Sequence, residues 1–168
     1  VKNENIELIF EDNSSVYCDY LIISDGIFSS AKSLIANKNI KPKYFNSVAI
    51  RGIINRKNFN NINYNNISLF LGSNFHSLVY PIDKNNEFNF IGILKKDLSE
   101  NQLQNYSLFN NSNFISSILT ELSNQVDKNI LNNLRSIKCF PIFTSEEIYK
   151  KNQKKYIFNR RCFFCIST

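Results

Sequence analysis

The chain has 168 residues, of which 43% are hydrophobic and 14% aromatic, and a formal net charge of +6. That apolar content suits a core of ordinary domain size. No apolar run approaches the ~20 residues of a membrane span, and no secretory signal is visible, so a cytoplasmic protein is expected, with peripheral membrane association left open. The lysines are scattered, clustering weakly at Lys38 to Lys43 and Lys150 to Lys155 rather than in one stripe, so no nucleic-acid partner is expected. Asn, Lys, Ile, Phe and Tyr, all abundant, share A- and T-rich codons, which accounts for much of the basic and aromatic excess.

In chain order, Ile6, Leu8 and Phe10 alternate with Glu7 and predict a half-buried strand. Glu11 to Ser15 is turn chemistry, and Val16 to Ile23 reads as the partner strand. Its end, Tyr20 to Ile23, is a short apolar run of the kind buried on both faces of a sheet. Ser24-Asp25-Gly26 then supplies a tight turn, Ser29 and Ser30 are candidate N-caps, and Ala31 to Ala36 can carry a helix that Pro42 prevents from continuing. A carboxylate and free peptide N–H groups at a strand-to-helix turn suit a phosphorylated cofactor.

Beyond Lys43 a second domain is expected. Strands are predicted at Val48 to Ile54, Ile67 to Leu71, Ser77 to Ile82 and Phe88 to Leu94, separated by the asparagine-rich loop Asn58 to Asn66 and by the turn Asp83 to Asn86. Short connections between strands imply a mostly antiparallel sheet. Phe114, Ile115, Ile118, Leu119 and Leu122 lie at helical spacing after a cap at Ser112 or Asn113. Ile130, Leu131, Leu134 and Ile137 predict a shorter helix, and Cys139 to Phe143 an extended segment bounded by Pro141. Cys18 and Cys139 read as reduced core thiols. Cys162-x-x-Cys165 has no second pair beside it, so no metal site is expected.

Four blocks in order resemble class A flavin-dependent aromatic monooxygenases, the salicylate-hydroxylase-like group. They are Asp25-Gly26-Ile27-Phe28-Ser29-Ser30-Ala31-Lys32 after its hairpin, Val48-Ala49-Ile50-Arg51-Gly52, Leu71-Gly72…His76…Tyr80-Pro81, and Asn89-Phe90-Ile91-Gly92. Where the family's first block ends in Arg this chain has Lys32, which keeps the charge but not the bidentate fork. The resemblance spans roughly Phe10 to Phe143. It implies an α+β / α/β chain: part of a Rossmann-like FAD-binding domain (residues 1–43), then a mostly antiparallel substrate domain with flanking helices (residues 44–143) whose sheet roofs the flavin. Residues 144–168 return towards the first domain.

By the same resemblance, reduced nicotinamide, NAD(P)H, passes hydride to FAD, and a flavin C4a-hydroperoxide formed with O2 hydroxylates a small phenolic or other aromatic substrate. Asp25, Gly26, Ser29 and Lys32 would contact the cofactor. Arg51 and Tyr80 would contact substrate. His76, the sole histidine, would take the phenol proton, because imidazole exchanges protons near neutral pH. A ubiquinone-precursor hydroxylase of the same superfamily is an alternative, and so is a non-catalytic module binding an aromatic acid through Arg51, His76 and Tyr80.

The chain starts at Val1, contains no Met and carries no Gly-x-Gly-x-x-Gly, so it is expected to be an internal piece of a longer protein and inactive alone. The family's later Gly-Asp motif is also missing in frame. Codons exist for Asn159 to Thr168 that, read one nucleotide later, give Ile-Gly-Asp-Ala-Phe-Phe-Ala-Phe-Pro-Pro, so residues 159–168 are expected to be a frameshifted tail.

Overall fold

The computed structural model describes residues 5–55, 65–83, 87–145 and 156–158. The chain divides into two compact units, Val1–Lys43 with Phe143–Ile166, and Tyr44–Ile142. The turn after Asp83, most of the Asn58 to Asn66 loop, the Cys162-x-x-Cys165 pair and the tail lie outside the described residues.

In the first unit, β1 (Ile6–Ile9) and β2 (Ser15–Cys18) form an antiparallel hairpin with Ile6 opposite Cys18 and Leu8 opposite Val16. The turn between them is closed by Asp12, whose Oδ1 accepts from the Ser14 amide at 2.9 Å, and Asn13 takes φ 63°. Two expectations need correcting. Val16 to Ile23 is not one strand: β2 stops at Cys18, and β3 (Leu21–Ile23) pairs in parallel with β9 (Tyr156–Phe158). Asp19, a poor strand former, sits at the break. Nor is the Tyr20 to Ile23 run buried on both faces. Ile23 is buried, but Tyr20 is 68% and Ile22 63% exposed, since one strand alone flanks β3 among the described residues.

Helix α1 (Ser30–Ala36) follows, capped by Ser29 and closed at Asn37 in the left-handed conformation (φ 47°). Asn tolerates that conformation better than most residues, and its N–H bonds Leu34 O, satisfying a terminal carbonyl.

The second unit is built on a five-stranded sheet. Its strands are β4 (Lys43–Asn55), β5 (Ser68–Leu71), β6 (Phe75–Asp83), β7 (Glu87–Lys95) and β8 (Arg135–Thr144), in the order β5-β6-β7-β4-β8. The β5–β6, β6–β7 and β7–β4 pairs are antiparallel. Between β7 and β8 come α2 (Glu100–Gln104), a 3-10 turn (Tyr106–Asn110), α3 (Ser112–Ser123) and α4 (Lys128–Asn132).

Several boundaries differ from the sequence expectation for local reasons. The cap of α3 is Asn111, whose Oδ1 accepts from the amides of Asn113 (2.9 Å) and Phe114 (3.2 Å). Ile137 belongs to β8, not to a helix: α4 ends at Asn132, and Ser136 adopts φ 52°, outside helical geometry. Pro141 lies inside β8 rather than bounding it, which the outermost place of β8 in the sheet permits because an edge strand can spare an N–H. A capping box, Ser99-x-x-Gln102, starts α2.

One sheet face is sealed. Val48, Ile50 and Ile54 of β4, Phe75 and Val79 of β6, and Phe88, Phe90 and Leu94 of β7 form one core with Ile118 and Leu122 of α3 and Ile130 and Leu131 of α4. A Cβ on Gly52 would lie 2.8 Å from Leu134 Cδ2 and 3.3 Å from Arg135 O, so glycine relieves crowding where the chain enters β8 beside β4. Ser77 is fully buried on the same face, and its Oγ has no hydrogen-bond partner among the described residues. Tyr44 OH donates to Lys96 O at 2.7 Å, and Lys96 Nζ pairs with Glu121 of α3, tying the end of β7 to both neighbours.

Two substitutions should move stability in opposite directions. Gly52→Ala overpacks the contact with Leu134 and should cost about 1–3 kcal/mol. Ser77→Ala removes a buried hydroxyl that lacks a partner and should stabilise by about 1 kcal/mol. Urea unfolding of each variant measures both.

Alkaline pH should unfold the sheet selectively. Burial, then the Asp97 charge, raises the Tyr44 phenol from 10.0 to about 12, and burial raises the Cys139 thiol from 9.0 to about 11. Well below pH 9 both groups are protonated in folded and unfolded chains and add no pH dependence. Between pH 9 and about 12 the unfolded chain loses these protons first, so stability falls, and the added slope vanishes once the folded forms ionise. Unfolding of the Tyr44→Phe, Cys139→Ala variant should show a shallower loss over that window, and an unchanged slope would contradict the assignment.

Candidate functional site

Strand alternation assigns Arg51, His76 and Tyr80 of the second unit to one surface. Side chains alternate across a sheet, and Phe75, Ser77 and Val79 face the core, so His76, Leu78 and Tyr80 occupy the opposite face. The register extends this across the strands. His76 stands opposite Ile93, and Ile93 opposite Ala49; Leu78 stands opposite Ile91, and Ile91 opposite Arg51; Tyr80 stands opposite Asn89, and Asn89 opposite Ile53. Leu69 and Leu71 of β5 continue the rows beside Leu78 and His76. The structure therefore brings Arg51, His76 and Tyr80 onto one face, together with Asn89 and the aliphatic side chains of Leu78, Ile91 and Ile93.

The three are neighbours on that face without touching. His76 and Tyr80 are four residues apart on β6, about 13 Å along the strand, and Arg51 lies two strands from β6, about 10 Å across. All three are partly buried. Neither the Arg51 guanidinium nor the His76 imidazole makes a hydrogen bond or ion pair among the described residues. Tyr80 OH accepts one bond, from Asn89 Nδ2 at 2.6 Å. Asn89, only 4% exposed, is the residue that sequence reading missed. Its signal was a polar side chain on a strand otherwise rich in Phe and Ile.

The four other predicted residues lie in the first unit. Gly26 takes φ 83°, a conformation that glycine adopts without a Cβ penalty, and the turn it forms leads into α1. Asp25, exposed, accepts at Oδ2 from the Ala31 amide at 3.4 Å. The Ser29 hydroxyl, buried, accepts from the Lys32 amide at 3.1 Å, capping the helix. Lys32 is fully buried and its Nζ donates to Ser145 Oγ at 3.3 Å, while the Phe28 ring meets Phe143 edge-on at 5.4 Å. Asp25 and Gly26 thus lie on the outer side of the turn, with Ser29 and Lys32 inside it. Among the described residues no cluster of His, Cys, Asp and Glu has the makings of a metal site, and no helix is long and apolar enough to cross a membrane.

No protein-family model and no curated protein matches the sequence. The fold does have counterparts. A salicylate hydroxylase in complex with substrate superposes with a TM-score of 0.71 at 15% identity, over 98% of this chain and 44% of that one. The 2,6-dihydroxypyridine-3-hydroxylase from Arthrobacter nicotinovorans gives 0.70 at 15% identity, over 94% of this chain and 46% of that one. HpxO from Klebsiella pneumoniae, complexed with FAD and uric acid, gives 0.66 at 14% identity, over 98% and 41%. The chain therefore has the fold of part of each of these proteins and spans less than half the length of each.

The capping role of Ser29 has a measurable consequence. Ser29→Ala should destabilise α1 by about 1 kcal/mol, read as faster amide hydrogen exchange at Lys32 and Ser33. Unchanged exchange would show that the hydroxyl does not hold the helix.

Proposed function

We propose that the chain is part of a flavin-dependent monooxygenase that hydroxylates a small aromatic substrate, using FAD, a reduced nicotinamide and O2. The observation that carries this reading is the placing of Arg51, His76 and Tyr80 together on one sheet face beside aliphatic Leu78, Ile91 and Ile93, with no protein partner for the guanidinium or the imidazole among the described residues. The likeness in fold to salicylate hydroxylase supports it. Turnover is proposed for a longer protein, to which this chain contributes residues 1–43 as part of a cofactor domain and residues 44–143 as a substrate domain.

The first unit fits FAD in part. Exposed Asp25 suits a hydroxyl of the cofactor and the Gly26 peptide allows close backbone approach. Ser29 and Lys32 are proposed to preserve the shape of that turn from inside it. Bound FAD would supply the redox chemistry, taking hydride from the nicotinamide and delivering one oxygen atom of O2 to the substrate ring. In the second unit, the aliphatic rows would hold the ring and exclude water from it. Arg51 would grip an anionic oxygen, with the paired geometry that a guanidinium offers a carboxylate. His76 would accept the phenol proton at a ring nitrogen.

In the flavin-loaded longer protein, His76→Ala should slow ring hydroxylation about a hundredfold and leave flavin reduction by nicotinamide nearly unchanged, as stopped-flow kinetics of the two half-reactions will show. Equal losses in both would rule out the proton role. A purely binding module would show neither half-reaction yet still bind aromatic acids.

A further inference from the structure

The Asn89–Tyr80 pair determines what kind of atom a ligand can present at this face. Asn89 stands directly opposite Tyr80 on the neighbouring strand, is almost completely buried, and directs Nδ2 to the phenol oxygen at 2.6 Å. A hydroxyl that accepts a hydrogen bond keeps its own hydrogen to donate. The Tyr80 hydrogen has no acceptor among the described residues, and Tyr80 remains partly exposed on the face that holds Arg51 and His76. A buried carboxamide locked against a phenol is expensive to leave unsatisfied, so the bond also fixes the ring in place.

We propose that Asn89 is a positioning residue that, by donating to the Tyr80 oxygen, orients the Tyr80 hydrogen to donate to an acceptor oxygen of the ligand, such as that of an aromatic carboxylate or phenolate. This rests on reading the face as the substrate surface. Asn89 would act through Tyr80 without touching the ligand. The reverse arrangement, with the Asn89 carbonyl accepting from Tyr80, would leave Tyr80 an acceptor and select ligands that donate.

Two measurements on the 168-residue chain test the proposal. The first needs no ligand: Tyr80→Phe should move the Asn89 side-chain amide protons upfield in nitrogen-15 spectra and leave the side-chain carbonyl carbon in place, whereas the opposite pattern overturns it. The second is benzoate titration of wild type, Tyr80→Phe, Asn89→Leu and the double variant. Each single change should weaken benzoate about tenfold, and the double should be no weaker than Tyr80→Phe alone, because Asn89 works only through that hydroxyl. Binding by wild type that Asn89→Leu leaves unchanged, or weakens equally without the Tyr80 hydroxyl, overturns the inference alone. Failure of wild type to bind benzoate overturns the reading of the face and the inference with it.

Discussion

Everything in the second unit follows from two-residue alternation along β4, β6 and β7. With one set of side chains committed to the helices, the other set has no choice of face, and a slip of one residue would exchange them entirely. Val79 and Phe90 can lie in the core only if Tyr80 and Asn89 lie outside it. The apolar core thus fixes the placing of Arg51, His76 and Tyr80 without any contact among the three. A site built on paired strands gains precision from the ladder itself, whose registers set each row.

The first unit obeys a different constraint. Its turn is short and held from within, by the Ser29 cap and by Lys32 reaching Ser145, 113 positions further along the chain. A lysine amine is expensive to bury without a partner, so the contact with Ser145 joins the turn to the returning segment. That arrangement leaves Asp25 exposed and Gly26 partly exposed, while Ser29 and Lys32 are buried.

Much of this was legible in the sequence, and the failures have physical causes. The central strands Val48 to Ile54 and Ser77 to Ile82 declared themselves as short, mostly apolar runs bounded by turn-forming segments, and both pack on the core. The first helix was legible from Ser29 and from Pro42. The run Tyr20 to Ile23 misled because an apolar tetrapeptide does not reveal how many neighbours it has; the exposure of Ile22 reflects the number of flanking strands, a tertiary property. Ile137 misled because apolar spacing after α4 happens to continue a helical period, while the backbone turns into β8 at Ser136. His76, Arg51 and Tyr80 were picked out by residue type and motif, but their common face needed the strand register. Asn89 was hidden because its role depends on a cross-strand partner nine residues away.

The central claim is that a small aromatic acid rests on the face of the β4–β6–β7 sheet that carries Arg51, His76 and Tyr80. Chemical-shift mapping with salicylate on the 168-residue chain tests it most directly. The account predicts an alternating pattern, with the largest changes at Arg51, His76, Leu78, Tyr80, Asn89 and Ile91 and small ones at Ile50, Ser77, Val79 and Phe90. Changes concentrated on α3 and the core-facing residues, or none on these strands, would contradict it.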